Sequence, residues 1–214
     1  MKHIPMSVWD QAFTYAAYRD LLDSLLAEGK TTGNNHAPDM LEYARMNIVR
    51  MNRLDKTVKI TDEVRRSLGA YARPLRWLTI TEGWCGDAAQ IVPVIDQLAA
   101  VAPAIEHRLI LRDEHLDVMD AFLTNGGRAI PVTIVLDAST HEVLAHWGPR
   151  PAGAQAIMNE AKPRMLAAET QEERDHIFHE AKTDLQKWYA ADKGRSIQEN
   201  MMAILAGLQV AAQV

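Results

Sequence analysis

The stretch Thr79-Ile80-Thr81-Glu82-Gly83-Trp84-Cys85-Gly86-Asp87-Ala88 places the chain's one cysteine where an apolar strand turns into a helix. The first N–H groups of a helix have no intrahelical partner and carry the positive end of its dipole, so sulfur there is favoured as thiolate. Such positions bring a cysteine pKa from about 8.5 down to roughly 3.5–7.5. Cys85 therefore reads as a reactive thiol whose pKa is lowered by the helix opening at Gly86. Asp87 opposes part of that effect: its carboxylate suits the first helical turn, but a negative charge beside sulfur disfavours the thiolate, so partial activation is expected.

Downstream of the cysteine, helical spacing continues through Leu98, and a strand over Ile105 to Leu111 precedes a helix over His115 to Leu123. Asn125-Gly126-Gly127 is a turn ahead of Ile130-Pro131, which leads the strand-like run Val132-Thr133-Ile134-Val135-Leu136. The region Asp137 to Glu142 joins that run to a last strand, ending at Trp147-Gly148, as a hairpin. Upstream, Leu75 opens the strand that leads to the cysteine, and Pro74 stops a helix predicted over Asp62 to about Ala72 with Thr61 as its N-cap. Val8, Trp9, Ala12, Phe13, Ala16, Ala17, Leu21, Leu22 and Leu25 predict one helix, broken at Gly29, and Met40, Leu41, Ala44, Ile48, Met51 and Leu54 a second after Pro38. Beyond Pro149-Arg150-Pro151 the chain is helical again, with a helix from about Ala152 that should kink or restart at Pro163. Capping boxes at Thr170 with Glu173 and at Ser196 with Glu199 mark two further starts, separated by Gly194. Trp188-Tyr189 is expected to dock the first of these helices on the core.

With Trp84-Cys85-Gly86 after an apolar strand and Ile130-Pro131 at the head of a later one, the chain resembles the thioredoxin superfamily over Arg73 to Gly148, about a third of its length. There the motif is Trp-Cys-Gly-Pro-Cys, and an Ile-Pro with a cis peptide bond faces the cysteine and keeps backbone free to pair with an extended substrate. The resemblance implies a catalytic Cys85 and a substrate-binding role for Trp84, Gly86, Asp87, Ile130 and Pro131. It aligns Trp147-Gly148-Pro149-Arg150-Pro151 with the strand end that borders the groove. Arg128, just before the proline, is a candidate for contact with an anionic group such as a glutathione carboxylate, or else a solvated loop arginine. Asp87 and Ala88 stand where thioredoxins have proline and a second cysteine, so the usual intramolecular disulfide cannot form and the protein is at most a monothiol. Thr79 stands where many thioredoxins bury an acid, and the nearest acids are Glu82 and Asp87.

Composition narrows the classes. A net charge of −5 gives no basic surface for nucleic acid, and 48% apolar residues suit a soluble globular protein. No run approaches a membrane span, and Met1-Lys2-His3-Ile4-Pro5 does not open a signal peptide's apolar region, so the expected compartment is the cytoplasm. One cysteine excludes a disulfide framework and a cysteine zinc site. Gly29-Lys30-Thr31 echoes a phosphate loop but lacks its first glycine and preceding strand. Glu172, His176, His179 and Glu180 share a helical face without His-Glu-x-x-His spacing and read as a wet face, so no metal is expected.

The fold expected is α/β, a thioredoxin-like three-layer arrangement with a mixed central sheet and helices on both faces. Helical extensions over 1–72 and 151–214 are expected to pack on a core over 73–150 as one compact domain. The leading functional expectation is a cytoplasmic monothiol protein whose Cys85 exchanges with a protein disulfide or accepts glutathione as a mixed disulfide, with glutathione as co-substrate, no other cofactor, and a possible homodimer. The alternative is a catalytically inactive peptide-binding or scaffold protein on the same fold. A third, borrowed from monothiol glutaredoxins, is an iron–sulfur cluster shared by two chains, against which Asp87-Ala88 counts because those proteins read Cys-Gly-Phe-Ser.

Overall fold

The computed structural model describes residues 1–211. Four strands, β1 (Leu75–Thr81), β2 (Ile105–Leu111), β3 (Val132–Asp137) and β4 (Val143–Trp147), form one sheet in the order β2-β1-β3-β4. β1 runs parallel to β2 and antiparallel to β3, and β3 is antiparallel to β4. The parallel pair requires a crossover, supplied by α5 (Gly86–Ala100). β1 is buried along almost its whole length, because helices cover both faces of the sheet.

One face, with Leu78, Ile80, Ile134 and Leu136, packs against α1 (Met6–Gln11), α2 (Tyr15–Ala27) and the short α6 (Leu116–Met119). The other, with Leu75, Trp77 and Val135, packs against α5 and against α8 (Gln171–Asp192) and α9 (Arg195–Ala211) from the C-terminal part of the chain. α3 (Pro38–Thr57) packs on α5 and contributes Met51 to the first cluster, while α4 (Asp62–Gly69) and α7 (Ala152–Ala167) contribute Leu68 and Ala154 to the second. The result is the three-layer thioredoxin-like arrangement, a mixed sheet with helices on both faces and extra helices at both ends. Among the described residues no helix is long and apolar enough to cross a membrane.

Three local expectations are corrected and one, at Pro163, is narrowed. The first predicted helix is two, because Phe13 leaves helical geometry to exchange both backbone hydrogen bonds with Leu109, at 2.8 Å each, and so covers the edge of β2. The helix expected over His115 to Leu123 is confined to the four residues of α6, after which turns lead to Thr124. α7 does not restart at Pro163, whose missing N–H forfeits one bond near the helix end while Ala161 beside it stays buried. Ser196 lies inside α9 and does not cap it; the Asp192 carboxylate accepts from the Ser196 N–H at 3.2 Å and supplies the cap. Thr61 and Thr170 do cap α4 and α8, the latter with the full reciprocal box to Glu173.

Candidate functional site

Cys85 is the N-cap of α5, with extended backbone, while the next residue already turns helically. Its side chain is 9% exposed, and the thiol donates to the Ile130 carbonyl at 3.4 Å. The Ile130–Pro131 peptide bond is cis. Gly148, at φ +136°, brings the end of β4 against Pro131: a Cβ there would overlap the Pro131 carbonyl oxygen. Cys85, Ile130, Pro131 and the β4 exit are thereby one cluster. Trp84 flanks it half-buried, with the Arg112 guanidinium 4.7 Å above its ring. Arg128 is not part of it, because its guanidinium makes a two-pronged bond to Asp120 at 2.6 and 2.8 Å on the surface.

The electrostatics overturn the expected activation of the thiol. Burial pushes the Cys85 pKa up to about 12, and the Asp87 carboxylate adds to the rise. The Asp87 and Ala88 amides and the Arg150 guanidinium pull the other way without offsetting it. At neutral pH the sulfur is a protonated, covered thiol.

Asp87 is itself 6% exposed and is held from two sides. Its Oδ2 pairs with Arg150 Nη2 at 2.6 Å, and its Oδ1 accepts from the Tyr189 hydroxyl at 2.8 Å. Burial and the neighbouring carboxylate raise the Tyr189 pKa well above its ordinary value, so it is a donor at every physiological pH. The trio of buried Asp87 and Tyr189 with half-buried Arg150 ties the first turn of α5 to the β4–α7 connection and to α8.

A second polar layer joins α3 to the same point. Asn47, fully buried, donates to the Gly83 carbonyl at 2.9 Å and accepts from Arg50 Nη1 at 2.8 Å. Gln90 on α5 donates to Gln186 Oε1 on α8 at 2.7 Å. On the opposite side, Thr32 Oγ1 accepts from the Gly83 N–H at 2.8 Å, and Glu82 Oε1 accepts from the Asp113 N–H at 2.9 Å. Glu82 is wholly buried, which raises its pKa. Thr79 lies between Thr133 Oγ1 at 2.9 Å and His107 Nε2 at 3.0 Å, and His107 Nδ1 contacts Asp96 at 2.9 Å.

Sequence reasoning did not select Asn47, Arg50, Gln90, Gln186 or Tyr189 for the site. Arg150 stood in the segment aligned with the groove border and Tyr189 in the pair expected to dock α8, but neither carried a pointer to Asp87. Among the described residues no group of three or more His, Cys, Asp or Glu side chains is placed to hold a metal ion.

Residues 33–162 match the family profile described as Thioredoxin. That span exceeds the Arg73 to Gly148 resemblance, taking in α3, α4 and most of α7. No curated protein matches the chain. Among solved structures it is similar to an HIV epitope scaffold, at 19% identity and a TM-score of 0.49 over 88% of this chain and 97% of that one. It is also similar to a protein of unknown function from Pseudomonas aeruginosa, at 22% identity and a TM-score of 0.44 over 85% of this chain and 98% of that one. With the profile covering more than half of its residues, the chain belongs to the thioredoxin family.

Proposed function

We propose that the protein is a binding module on a thioredoxin scaffold, a peptide-binding or scaffold protein in which Cys85 does not turn over. The observation that carries this reading is the seat of Cys85: a covered, protonated thiol bonded to the Ile130 carbonyl, in a chain with no second cysteine to resolve an adduct. The thiolate is the nucleophile in disulfide exchange, and a thiol with a pKa near 12 supplies very little of it at pH 7. Oxidised glutathione tests this. Intact-mass spectrometry at neutral pH is expected to find native Cys85 unmodified over a period in which the chain unfolded in denaturant is fully converted. Retention of partner capture by Cys85→Ala is the companion result, and rapid adduct formation on the native chain would refute the module reading.

A second reading has one specific observation in its favour: the Asp87 and Ala88 amides bond toward the sulfur and the Arg150 charge lies near it, both of which favour a thiolate if the site opened. In that case the Cys85 thiolate attacks one sulfur of a protein disulfide or of oxidised glutathione. The S–S bond breaks, a mixed disulfide forms on Cys85, the other half leaves as thiolate, and an outside thiol resolves the adduct. A native adduct in the experiment above selects this reading.

A further inference from the structure

The N-terminal segment is fastened to the β3–β4 hairpin at His141. The His141 carbonyl accepts from the Ile4 N–H at 3.0 Å, and the Lys2 carbonyl accepts from the Val143 N–H at 2.8 Å. His3 stands opposite Glu142 in this antiparallel pairing. Because β4 is the last strand on that side of the sheet, residues 2–4 cover the start of its outer edge. His141 itself takes φ +59°, is 3% exposed, and meets the Trp9 ring of α1 edge-on at 6.2 Å.

What the ring touches fixes its protonation state. His141 Nε2 contacts Arg76 Nη1 of β1. A guanidinium only donates, so Nε2 is the acceptor and the imidazole is neutral, with its proton on Nδ1. Nδ1 is buried without a partner among the described residues, as is Arg76 Nε. No carboxylate stands by to balance a second charge, for the other side-chain partner of Arg76 is Met6 Sδ of α1 at 3.8 Å. On the hairpin, Asp137 gives Oδ1 to the Ser139 and Thr140 amides and Oδ2 to Arg73, and Glu142 is exposed. α1 brings only the exposed Asp10, and the N-terminal segment brings the terminal amine, Lys2 and His3, all exposed. From the sheet come cations, with Arg76 and, from β2, Arg108 over the Trp9 ring at 4.9 and 5.0 Å.

We propose that His141 is a proton-operated latch for the N-terminal segment. A second proton on the ring sets an imidazolium N–H against the Arg76 N–H, two donors and two positive charges in one buried contact. The ring is packed against Trp9, so relief of that repulsion requires it to leave its seat, and the turn that carries it holds Ile4. The proton therefore favours the open form: the latch is complete at neutral pH and is lost as pH falls. Opening frees residues 2–4 and bares the start of β4. This device goes beyond the binding-module reading and uses none of the groups around Cys85.

Amide hydrogen exchange on the full chain, followed by NMR and corrected for the intrinsic effect of pH on exchange, is the test. Between about pH 7.5 and about pH 5.5, where histidines take up their proton, protection of the Ile4 and Val143 amides is expected to fall about tenfold or more while that of β1 holds. One proton limits the fall to about tenfold per pH unit. His141→Asn removes the titrating ring and keeps a residue type that tolerates positive φ. Arg76→Gln keeps the ring and removes the charge that faces it. Both are expected to abolish the pH dependence, and His3→Gln, which removes the other histidine of the segment, to leave it intact. Unchanged protection in the wild type overturns the latch, as does a wild-type response in His141→Asn or Arg76→Gln, or loss of the response in His3→Gln. Arg76→Gln, with the turn left as it is, decides the matter even where His141→Asn loosens the segment at neutral pH.

Discussion

Cys85 is subject to two effects of opposite sign. A helix N-terminus is worth up to about 2 kcal/mol to a well-placed charge, or about 1.5 pKa units. Full burial shifts a titratable group by up to about 3–5 units. Burial is the larger, and the thiol is raised to about 12 although it sits at a helix start. Asp87 is the second cause of that rise, so Asp87→Asn is expected to lower the thiol pKa, read from the pH dependence of iodoacetamide alkylation. The same change leaves Arg150 without its partner and is expected to cost about 3 kcal/mol of stability in urea unfolding. The sign of the pH dependence follows from the thiol being raised on folding. Its contribution is complete below the unfolded value of about 8.5 and is lost as pH climbs toward the folded value, so stability falls across that alkaline window. In Asp87→Asn the window is narrower; an unchanged alkylation profile would show that the carboxylate does not govern the thiol.

At the level of elements, the cap residues define the C-terminal helices better than the apolar pattern does. α8 opens with Thr170 accepting from the Glu173 N–H at 3.1 Å while Glu173 returns a bond to the Thr170 N–H. Thr170→Ala is expected to cost about 1 kcal/mol, seen as a lower urea midpoint at unchanged slope. This box was legible because its spacing is local. Ser196 with Glu199 has the same spacing and does not cap, because Asp192 reaches the Ser196 N–H first. The split between α1 and α2 was illegible for a similar reason. Val8 to Leu25 keeps helical spacing throughout, and only the exposed edge of β2, contributed by residues far along the chain, draws Phe13 out of the helix.

Across the whole molecule the terminal helices complete the core. Ile197, Met201 and Leu205 of α9 are each buried to within 1% and pack in the cluster around Leu75, Trp77 and Ile95. At about 2 kcal/mol per side chain, their loss removes about 6 kcal/mol, comparable with the whole stability of a domain. A chain ending at Lys193 is therefore expected to lose cooperative unfolding and near-UV dichroism; a sharp, native-like transition would show that α9 is dispensable.

The sequence by itself determined the succession of strands and helices around Cys85 and the lead of Ile130-Pro131 into β3, because periodicity, turns and caps are properties of neighbouring residues. Only the tertiary structure decided the chemistry of the site. Asn47, Arg150, Gln186 and Tyr189 lie far along the chain from Cys85. Burial and charge pairing, which fix the state of its sulfur, depend on what the folded chain places around it.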